Sequence, residues 1–221
     1  GRFAAVSVVS SEIAEKLRAT VWNDPSRLAI HIPMGVDLRR FSASKAEDRA
    51  NSVLLFVGRL AAKKGVGNLI EAVADIRARR PDIQLRIVGD GPLRGDLEAL
   101  AAHRELQNTV TFTGALPHDQ ITREMQAATL FCAPFVIASD GDREGTPTVL
   151  LEAAASGLPI ITTDVGGCGE VVANDKSGWL LPPGDVQALV KAIEDALEHP
   201  DRARRFANAG CEIAQLFSWP I

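Results

Sequence analysis

Two carboxylates, Glu144 and Glu152, flank residue types that commonly begin a helix. On one helix, eight positions would separate them by about 80° around the axis and ~12 Å along it, too far for a paired general acid and base. With Thr146 as N-cap and Pro147 as first helical residue, Glu144 instead precedes a helix and Glu152 leans back toward it. The free first-turn N–H groups would lie between them. This arrangement suits a ligand with hydroxyls at both ends and phosphate in the middle; the alternative is two solvated or backbone-satisfied glutamates.

A basic loop covers residues 58–65, where Arg59 follows Gly58 and Lys64 precedes Gly65. A guanidinium and an ammonium on one loop that opens a helix could together grip a diphosphate. The order GxxxxGK[ST] is absent, which disfavours a P-loop ATPase. The alternative for such a pair is an ordinary basic surface turn, and its place at the end of a predicted strand favours ligand binding.

A third glycine-rich loop contains Gly89 and Gly91, the beginning of a dinucleotide fingerprint. Arg94 stands where that fingerprint requires its third glycine, the loop does not follow the first strand of the sheet, and no acidic residue ends the next predicted strand. A nicotinamide-dependent dehydrogenase is therefore disfavoured. The two glycines are interpreted instead as leaving room for a base or a ribose.

Other kinds of site find little support. The three cysteines, Cys132, Cys168 and Cys211, are far apart and form no CxxC or Cys/His pair, so no metal site is predicted. No GxSxG elbow occurs, and the four histidines assemble no Ser/His/Asp set. We therefore expect neither a metal nor an organic cofactor.

The charge balance excludes a further class. The 221 residues contain 24 Lys plus Arg and 28 Asp plus Glu, a net charge of -4 without a long basic stripe. Nonspecific nucleic-acid binding is thereby disfavoured, and any anionic ligand must be held by a few local cations. No signal peptide or transmembrane stretch is visible. The expected location is the cytoplasm.

The elements that must position these loops alternate along the chain. Short β-rich apolar runs are each followed by a longer amphipathic stretch, a pattern typical of a parallel sheet covered on both faces. We predict a Rossmann-like, doubly wound α/β fold, with ligands at the carboxyl ends of its strands. Its strands are predicted at residues 52–57, 84–88, 110–113, 130–133, 160–163 and 179–181, and its helices at 66–79, 93–103, 118–127, 147–156, 168–173 and 186–198.

The first 50 residues follow a different pattern. A strand at residues 5–9, a helix at 12–19 and a strand at 28–32 precede a polar segment, residues 42–51, that is typical of a linker. One such unit cannot complete a sheet alone, so we expect it to belong to a neighbouring domain.

A family resemblance runs in order along nearly the whole chain. The sequence resembles the C-terminal, donor-binding half of family-4 retaining glycosyltransferases (glycosyl transferases group 1) of the GT-B fold. Its version of residues 139–147 is similar to bacterial exopolysaccharide and colanic-acid glycosyltransferases. The motifs that carry the resemblance are Ile32-Pro-Met-Gly-Val-Asp37 with Phe41, Val57-Gly-Arg-Leu60 with Lys64-Gly65, Val88-Gly-Asp-Gly-Pro92, Phe112-Thr-Gly114, Asp140-Gly-Asp-Arg-Glu-Gly-Thr-Pro147, Leu151-Glu-Ala153, Gly157-Leu-Pro-Ile160, Val165-Gly-Gly167 and Glu170.

The resemblance implies a role for each matching position. Arg59 and Lys64 would bind the diphosphate of a nucleotide-sugar, and Glu144 would contact the donor sugar; these three form the implied catalytic set. Glu152 would bind the ribose hydroxyls. The backbone of residues 146–148 would lie under phosphate and sugar, and the loop 114–116 beside the base. The other implied donor-binding positions are Gly58, Thr146, Pro147, Thr148, Gly89, Gly91, Ala115 and Leu116.

The resemblance also implies how the chain is organised. Residues 1–50 would be the remnant of an N-terminal acceptor domain plus linker, 51–205 the nucleotide-sugar-binding domain, and 206–221 the truncated start of a crossover helix. The expected partners are a nucleotide-sugar, the acceptor domain and a lipid-linked acceptor at the membrane surface, and the chain alone is expected to bind donor rather than to transfer sugar. The alternatives are a nucleotide-sugar-binding module without activity and another GT-B enzyme, such as a nucleotide-sugar epimerase or a glycogen/starch synthase relative.

Overall fold

The computed structural model describes residues 5–8, 11–20, 28–31, 34–42 and 52–218. Most of the predicted linker, residues 43–51, lies outside the described residues, as do residues 219–221. The leading unit consists of strand β1 (Ala5–Val8), helix α1 (Ser11–Thr20) and strand β2 (Leu28–His31). β1 and β2 pair in parallel as a separate two-stranded sheet.

The main body is a six-stranded parallel sheet, as predicted. Its strands are β3 (Val53–Val57), β4 (Gln84–Val88), β5 (Val110–Gly114), β6 (Leu130–Ala133), β7 (Ile160–Thr163) and β8 (Trp179–Leu181). Their spatial order is β5-β4-β3-β6-β7-β8. The chain therefore builds outward from β3 in one direction, returns, and builds outward in the other. This order is that of a doubly wound sheet.

Helices cover both faces of this sheet. They are α2 (Val66–Arg77), α3 (Arg94–His103), α4 (His118–Ala127), α5 (Thr148–Ala155), α6 (Cys168–Val171), α7 (Val186–Glu198) and α8 (Pro200–Leu216). Because side chains alternate along a strand, β3 contributes to two separate cores. Leu54 and Phe56 pack with residues of α2, α3 and α7, whereas Leu55 and Val57 pack with residues of α5 and α6.

The element boundaries differ from the predicted ones at several helix ends. Pro147 has φ -72° and ψ 113°, an extended conformation, so it caps α5 and the helix begins at Thr148. The prediction of Thr146 as N-cap and Pro147 as first helical residue is wrong by one position. α2 ends at Arg77 and α6 at Val171, earlier than predicted. The boundary proposed at residue 205 falls inside α8, where Phe206 packs edge to face against Trp179 at 4.8 Å between ring centroids.

In the described part of the chain, every helix is too short or too polar to cross a lipid bilayer.

Candidate functional site

The loops that carry the predicted site residues meet where the strand order reverses. The carboxyl ends of β3 and β6 lead into loops that turn to opposite sides of the sheet, which opens a crevice between them. These loops contact each other directly, since Val136 N donates a hydrogen bond of 2.9 Å to Lys63 O. Gly65, with φ 65°, allows this approach, because a Cβ there would lie 1.9 Å from Pro134 O.

Three charged side chains form an ion-pair cluster across this crevice. Lys64 Nζ lies 3.1 Å from Glu144 Oε2, and Lys63 Nζ lies 3.5 Å from Glu144 Oε1. The Lys64 ammonium also lies 4.9 Å from the centroid of the fully buried Phe135 ring, a cation–π contact. The Lys64 side chain is 14% exposed and that of Glu144 11%, so water screens this pair poorly. The structure thus brings the predicted residues Lys64 and Glu144 together.

The outer edge of this cluster is held by Asp142. Its Oδ1 accepts a hydrogen bond of 3.2 Å from Lys63 Nζ. Partial burial acts to lower the pKa of Lys63, but the bond to Asp142 and the charges of Glu144 and Asp142 outweigh it and raise the pKa. Lys63 is therefore a cation at neutral pH.

The Glu144 carboxylate keeps unused hydrogen-bonding capacity. Its buried Oε1 has only the ion pair with Lys63 at 3.5 Å and no other donor among the residues described. A buried acceptor that is not fully satisfied costs free energy. A ligand hydroxyl placed there would supply a shorter hydrogen bond and recover part of that cost.

Arg59 is the exposed member of the implied catalytic set, which also contains Lys64 and Glu144. Its backbone is fixed on both sides, because Gly58 N donates to Val88 O and Leu60 N donates to Asp90 O, each at 2.9 Å. Its guanidinium pairs with no side chain or backbone group within the described ranges. Arg59 is thus an anchored cation at the carboxyl end of β3 that no described residue neutralises.

The N-terminus of α5 follows Glu144 closely and carries no side-chain cap. The loop after β7 packs against this segment, with Gly167 N donating to Gly145 O at 2.7 Å. A Cβ on Gly166, which has φ 57°, would lie 2.2 Å from Glu144 O. The backbone around Glu144 is therefore fixed on two sides, and the uncapped N–H groups of Thr148 and its successor are available to an anion.

Glu152 lies in the second turn of α5 and is partly buried. Burial raises the pKa of its carboxyl, and the electrostatic influence of the nearby His118 and Arg40 counteracts this only in part. Its carboxylate has no hydrogen-bond or ion-pair partner in the part of the chain that the structure describes. Glu152 is thus a partly desolvated acceptor, the second after Glu144, which lies in the loop before α5.

The predicted base-side loops lie side by side beyond β4 and β5. Gly89 N donates to Gly114 O at 2.9 Å, which joins them. A Cβ on Gly89 would lie 1.9 Å from Gly58 O, and one on Gly91 would lie 2.4 Å from Leu60 O. These glycines therefore make room for the neighbouring backbone, a different reason from the room for a base or ribose that the sequence suggested.

The ends of these loops contain the remaining predicted positions. Ala115 is exposed and Leu116 half-buried. Arg94 reaches toward the same place: its Nη1 lies 3.3 Å from where a Gly114 Cβ would stand and 3.4 Å from Asp90 Oδ2. The loops after β3, β4 and β5 thus form one continuous rim.

Three residues of the site were not predicted: Lys63, Asp142 and Phe135. The signal for Lys63 was present, since two lysines are adjacent, but the resemblance selects only the second. Asp142 lies two residues before Glu144 in a loop whose turns the sequence did not define. Phe135 continues an apolar strand, so its contact with an ammonium required the structure.

The buried cysteines contribute no charged group to the site, although Cys168 lies near Glu144. Cys132 and Cys168 are buried free thiols, and burial raises the pKa of Cys168 to about 12. Within the described ranges, no group of three or more His, Cys, Asp or Glu side chains is placed to hold a metal ion.

Comparison with known proteins gives concordant matches. The family model described as glycosyl transferases group 1 matches residues 38–212. The amylovoran biosynthesis glycosyltransferase AmsK of Erwinia amylovora is 37% identical over 162 residues, covering 72% of this chain and 40% of that protein. The putative colanic acid biosynthesis glycosyltransferase WcaL of Escherichia coli is 36% identical over 161 residues, with the same shares. The chain thus aligns with less than half the length of these curated relatives.

Solved structures share the fold. A sucrose-phosphate synthase from Thermosynechococcus elongatus superposes with a TM-score of 0.83 at 30% identity, covering 97% of this chain and 54% of that one. Anabaena HepE in complex with UDP-glucose superposes with a TM-score of 0.82 at 23% identity, covering 97% and 60%. The predicted fold is confirmed, and so is the resemblance to exopolysaccharide and colanic-acid glycosyltransferases.

Proposed function

The chain belongs to the glycosyl transferases group 1 family, and from that premise we propose that it supplies the donor site of a retaining glycosyltransferase. The enzyme would move a sugar from a nucleotide-diphosphate sugar to an acceptor in polysaccharide or glycolipid biosynthesis. The observation that carries the proposal is the cluster of Lys64 and Glu144 at the strand-order reversal, with Arg59, which no described residue neutralises, on the same loop as Lys64.

In this proposal the diphosphate binds between the cations and the start of α5. Arg59 and Lys64 approach from the loop after β3, and the uncapped N–H groups of Thr148 and its neighbour approach from the helix. The two phosphates would replace Glu144 as the negatively charged partner of Lys64. The complex of Anabaena HepE with UDP-glucose supports a nucleotide-sugar as ligand of this fold.

The two glutamates would bind hydroxyl groups on either side of the diphosphate. Glu144 offers its Oε1, which beside the 3.5 Å ion pair with Lys63 has no donor among the described residues, to a hydroxyl of the donor sugar. Glu152, desolvated and without a partner among the described residues, would accept hydrogen bonds from the ribose. Both contacts remove an existing cost as they form, because each supplies a donor to a desolvated acceptor.

The chemical step breaks the bond between C1 of the sugar and the β-phosphate oxygen. The bonding electrons go to that oxygen, which becomes a terminal oxygen of the nucleoside diphosphate. The acceptor hydroxyl oxygen forms the new bond to C1, and its proton passes to the departing phosphate oxygen. Arg59 and Lys64, with the helix N-terminus, would stabilise the negative charge that develops on the leaving group. Retention of anomeric configuration is the family expectation, and we assign no protein nucleophile.

The acceptor would be bound outside this site. The names of AmsK and WcaL, which refer to amylovoran and colanic acid biosynthesis, support a growing polysaccharide as its class. A partner domain and a lipid-linked acceptor at the membrane surface stay part of the proposal.

A thermal-shift panel of nucleotide-sugars tests the donor site. At least one of UDP-glucose and GDP-mannose, or a related donor, should raise the melting temperature of the chain, because a ligand that binds only the folded state stabilises it. Arg59→Ala should abolish the shift. Arg79→Ala is the matched control, because Arg79 is a half-exposed arginine that pairs with Glu194 and follows the far end of α2, so its shift should equal that of the wild type. A panel that leaves the wild-type melting temperature unchanged would refute the proposal.

A further inference from the structure

We propose that Lys63 is a positioning residue that keeps Glu144 paired and ionised when Lys64 turns to the donor diphosphate. The inference rests on the proposed function, since it requires a diphosphate at the site. It concerns a residue that the expected donor-binding set does not contain.

The first observation is that two consecutive lysines contact one carboxylate, each at a different oxygen. Lys64 lies 3.1 Å from Oε2 of Glu144, and Lys63 lies 3.5 Å from Oε1. Both lysines belong to a single turn of 3-10 helix, Ala62–Lys64, whose end at Gly65 is left-handed. Glu144 therefore has a second cation ready on its other oxygen.

The second observation is that Lys63 is anchored independently of Lys64. Its carbonyl accepts a hydrogen bond from Val136 N, which ties its backbone to the loop that carries Glu144. Its ammonium bonds Asp142, and that residue is fixed in a closed turn by Ala138 N donating to Asp142 O at 2.8 Å. Movement of Lys64 would leave these contacts in place.

The third observation is the difference in exposure around Lys63. Asp142 is 57% exposed, whereas Glu144 is 11% exposed. Water can compensate Asp142 but not Glu144. When Lys64 is drawn to phosphate, closing the 3.5 Å gap between Lys63 and Glu144 is the favourable response.

Without Lys63, the buried carboxylate would be left alone as the donor binds. Among described residues the cations within ion-pair distance of Glu144 are Lys63 and Lys64. Cys168 also faces Glu144, but its thiol is neutral at physiological pH because burial raises its pKa to about 12. An unpaired, desolvated carboxylate takes up a proton, since the charged form is disfavoured. Loss of Lys63 should therefore couple donor binding to proton uptake by Glu144.

Isothermal titration calorimetry with UDP-glucose and GDP-mannose, in buffers of different ionisation enthalpy, measures that coupling; these intact donors carry no terminal phosphate that titrates near pH 7, as free UDP and GDP do. At pH 7 the wild type should bind one of these probes without net proton exchange. Lys63→Met should bind it about tenfold more weakly, the equivalent of one charge-assisted hydrogen bond, and take up a fraction of a proton. Its deficit should shrink as the pH falls, because protonated Glu144 releases Lys64. Lys63→Arg should restore both affinity and proton balance.

Two further variants make the outcome decisive. Asp142→Asn removes the exposed partner of Lys63 and should leave proton exchange at zero. The double variant Lys63→Met with Glu144→Gln should lose the proton uptake, since its site is gone. A wild type that binds neither probe overturns the proposed function and this inference with it. A wild type that binds, beside a Lys63→Met protein that binds without proton uptake, overturns this inference alone.

Discussion

Two clusters of charged side chains, on different parts of the sheet, are satisfied to very different degrees. At the junction of β8, α7 and α8, Arg202 donates to Asp195 Oδ2 at 2.7 Å and to Asp175 Oδ1 at 2.6 Å. Trp179 Nε1 donates to the same Asp195 oxygen at 2.9 Å. The Arg202 guanidinium also lies over the Trp179 and Phe206 rings, 5.9 and 5.2 Å from their centroids. Each group in this framework cluster has its partners inside the protein.

The cluster at the carboxyl ends of β3 and β6 is incomplete by comparison. Arg59 and Glu152 have no hydrogen-bond or ion-pair partner within the described ranges, and Glu144 Oε1 has there only the long ion pair with Lys63, at 3.5 Å. A partly satisfied polar network costs stability, so its persistence calls for an explanation other than folding. The difference teaches which charges hold the domain together and which are held ready for a ligand. Three substitutions test that distinction.

Lys64→Met should produce the largest effect, on binding. The variant loses a charge-assisted contact with the diphosphate worth about 1.5–3 kcal/mol, so the Kd for UDP or GDP should rise between about tenfold and 150-fold. The free energy of unfolding should change by less than about 1 kcal/mol, because Glu144 keeps Lys63 as a partner. Calorimetry and chemical denaturation measure the two quantities. A large loss of stability with unchanged Kd would place Lys64 in the framework instead.

Arg202→Met should do the opposite. It leaves Asp195 and Asp175 without their cation, and the cost should be about 2 kcal/mol of unfolding free energy, less than for a fully buried pair because the Arg202 side chain is 35% exposed. Nucleotide affinity should not change. Arg204→Met is the control, since Arg204 is 61% exposed with a single partner at 3.5 Å, and it should cost less than about 0.5 kcal/mol. If urea denaturation showed the same loss of unfolding free energy for Arg202→Met and Arg204→Met, the assignment of Arg202 to the framework cluster would be contradicted.

Much of the fold follows from the sequence because its signals are local. β6 is four consecutive buried apolar residues, and α7 repeats its apolar positions with helical period, so both bounds were predicted as observed. The start of α5 was displaced by one residue because the ψ angle of Pro147 decides between cap and first turn, and residue type does not determine it.

The site was less accessible from sequence because its contacts join distant loops. Glu144 and Lys64 could be selected from spacing and resemblance. The hydrogen bond between Lys63 and Asp142 could not, because these residues lie 79 positions apart in the sequence and only the fold brings their loops together. A further reason for Gly89 required the structure, since a Cβ there would meet the carbonyl of Gly58, contributed by another strand end. The ligand roles of the predicted residues stay predictions.

Glu152→Gln should give the smallest effect and the sharpest test, because it should improve stability while harming binding. Burial raises the pKa of Glu152 in the folded chain above its ordinary value of 4.5, so the ionised carboxylate destabilises the fold at neutral pH. The folded state holds that proton more tightly than the unfolded one. Lowering the pH through the folded pKa therefore relieves the cost.

Glutamine carries no charge, so the variant should unfold at higher denaturant concentration than the wild type at pH 7. This advantage should diminish as the pH approaches 4, where both side chains are neutral. The affinity for UDP or GDP should fall about tenfold at pH 7, since a neutral amide replaces a carboxylate acceptor toward the ribose. Glu98→Gln, on the exposed face of α3, is the control. It should change neither the denaturant concentration at which the chain unfolds nor the nucleotide affinity by a comparable amount. A Glu152→Gln protein that is less stable than the wild type at neutral pH would show that the Glu152 carboxylate stabilises the fold, as the charges of the framework cluster do. Glu152 would then not be a group held ready for a ligand.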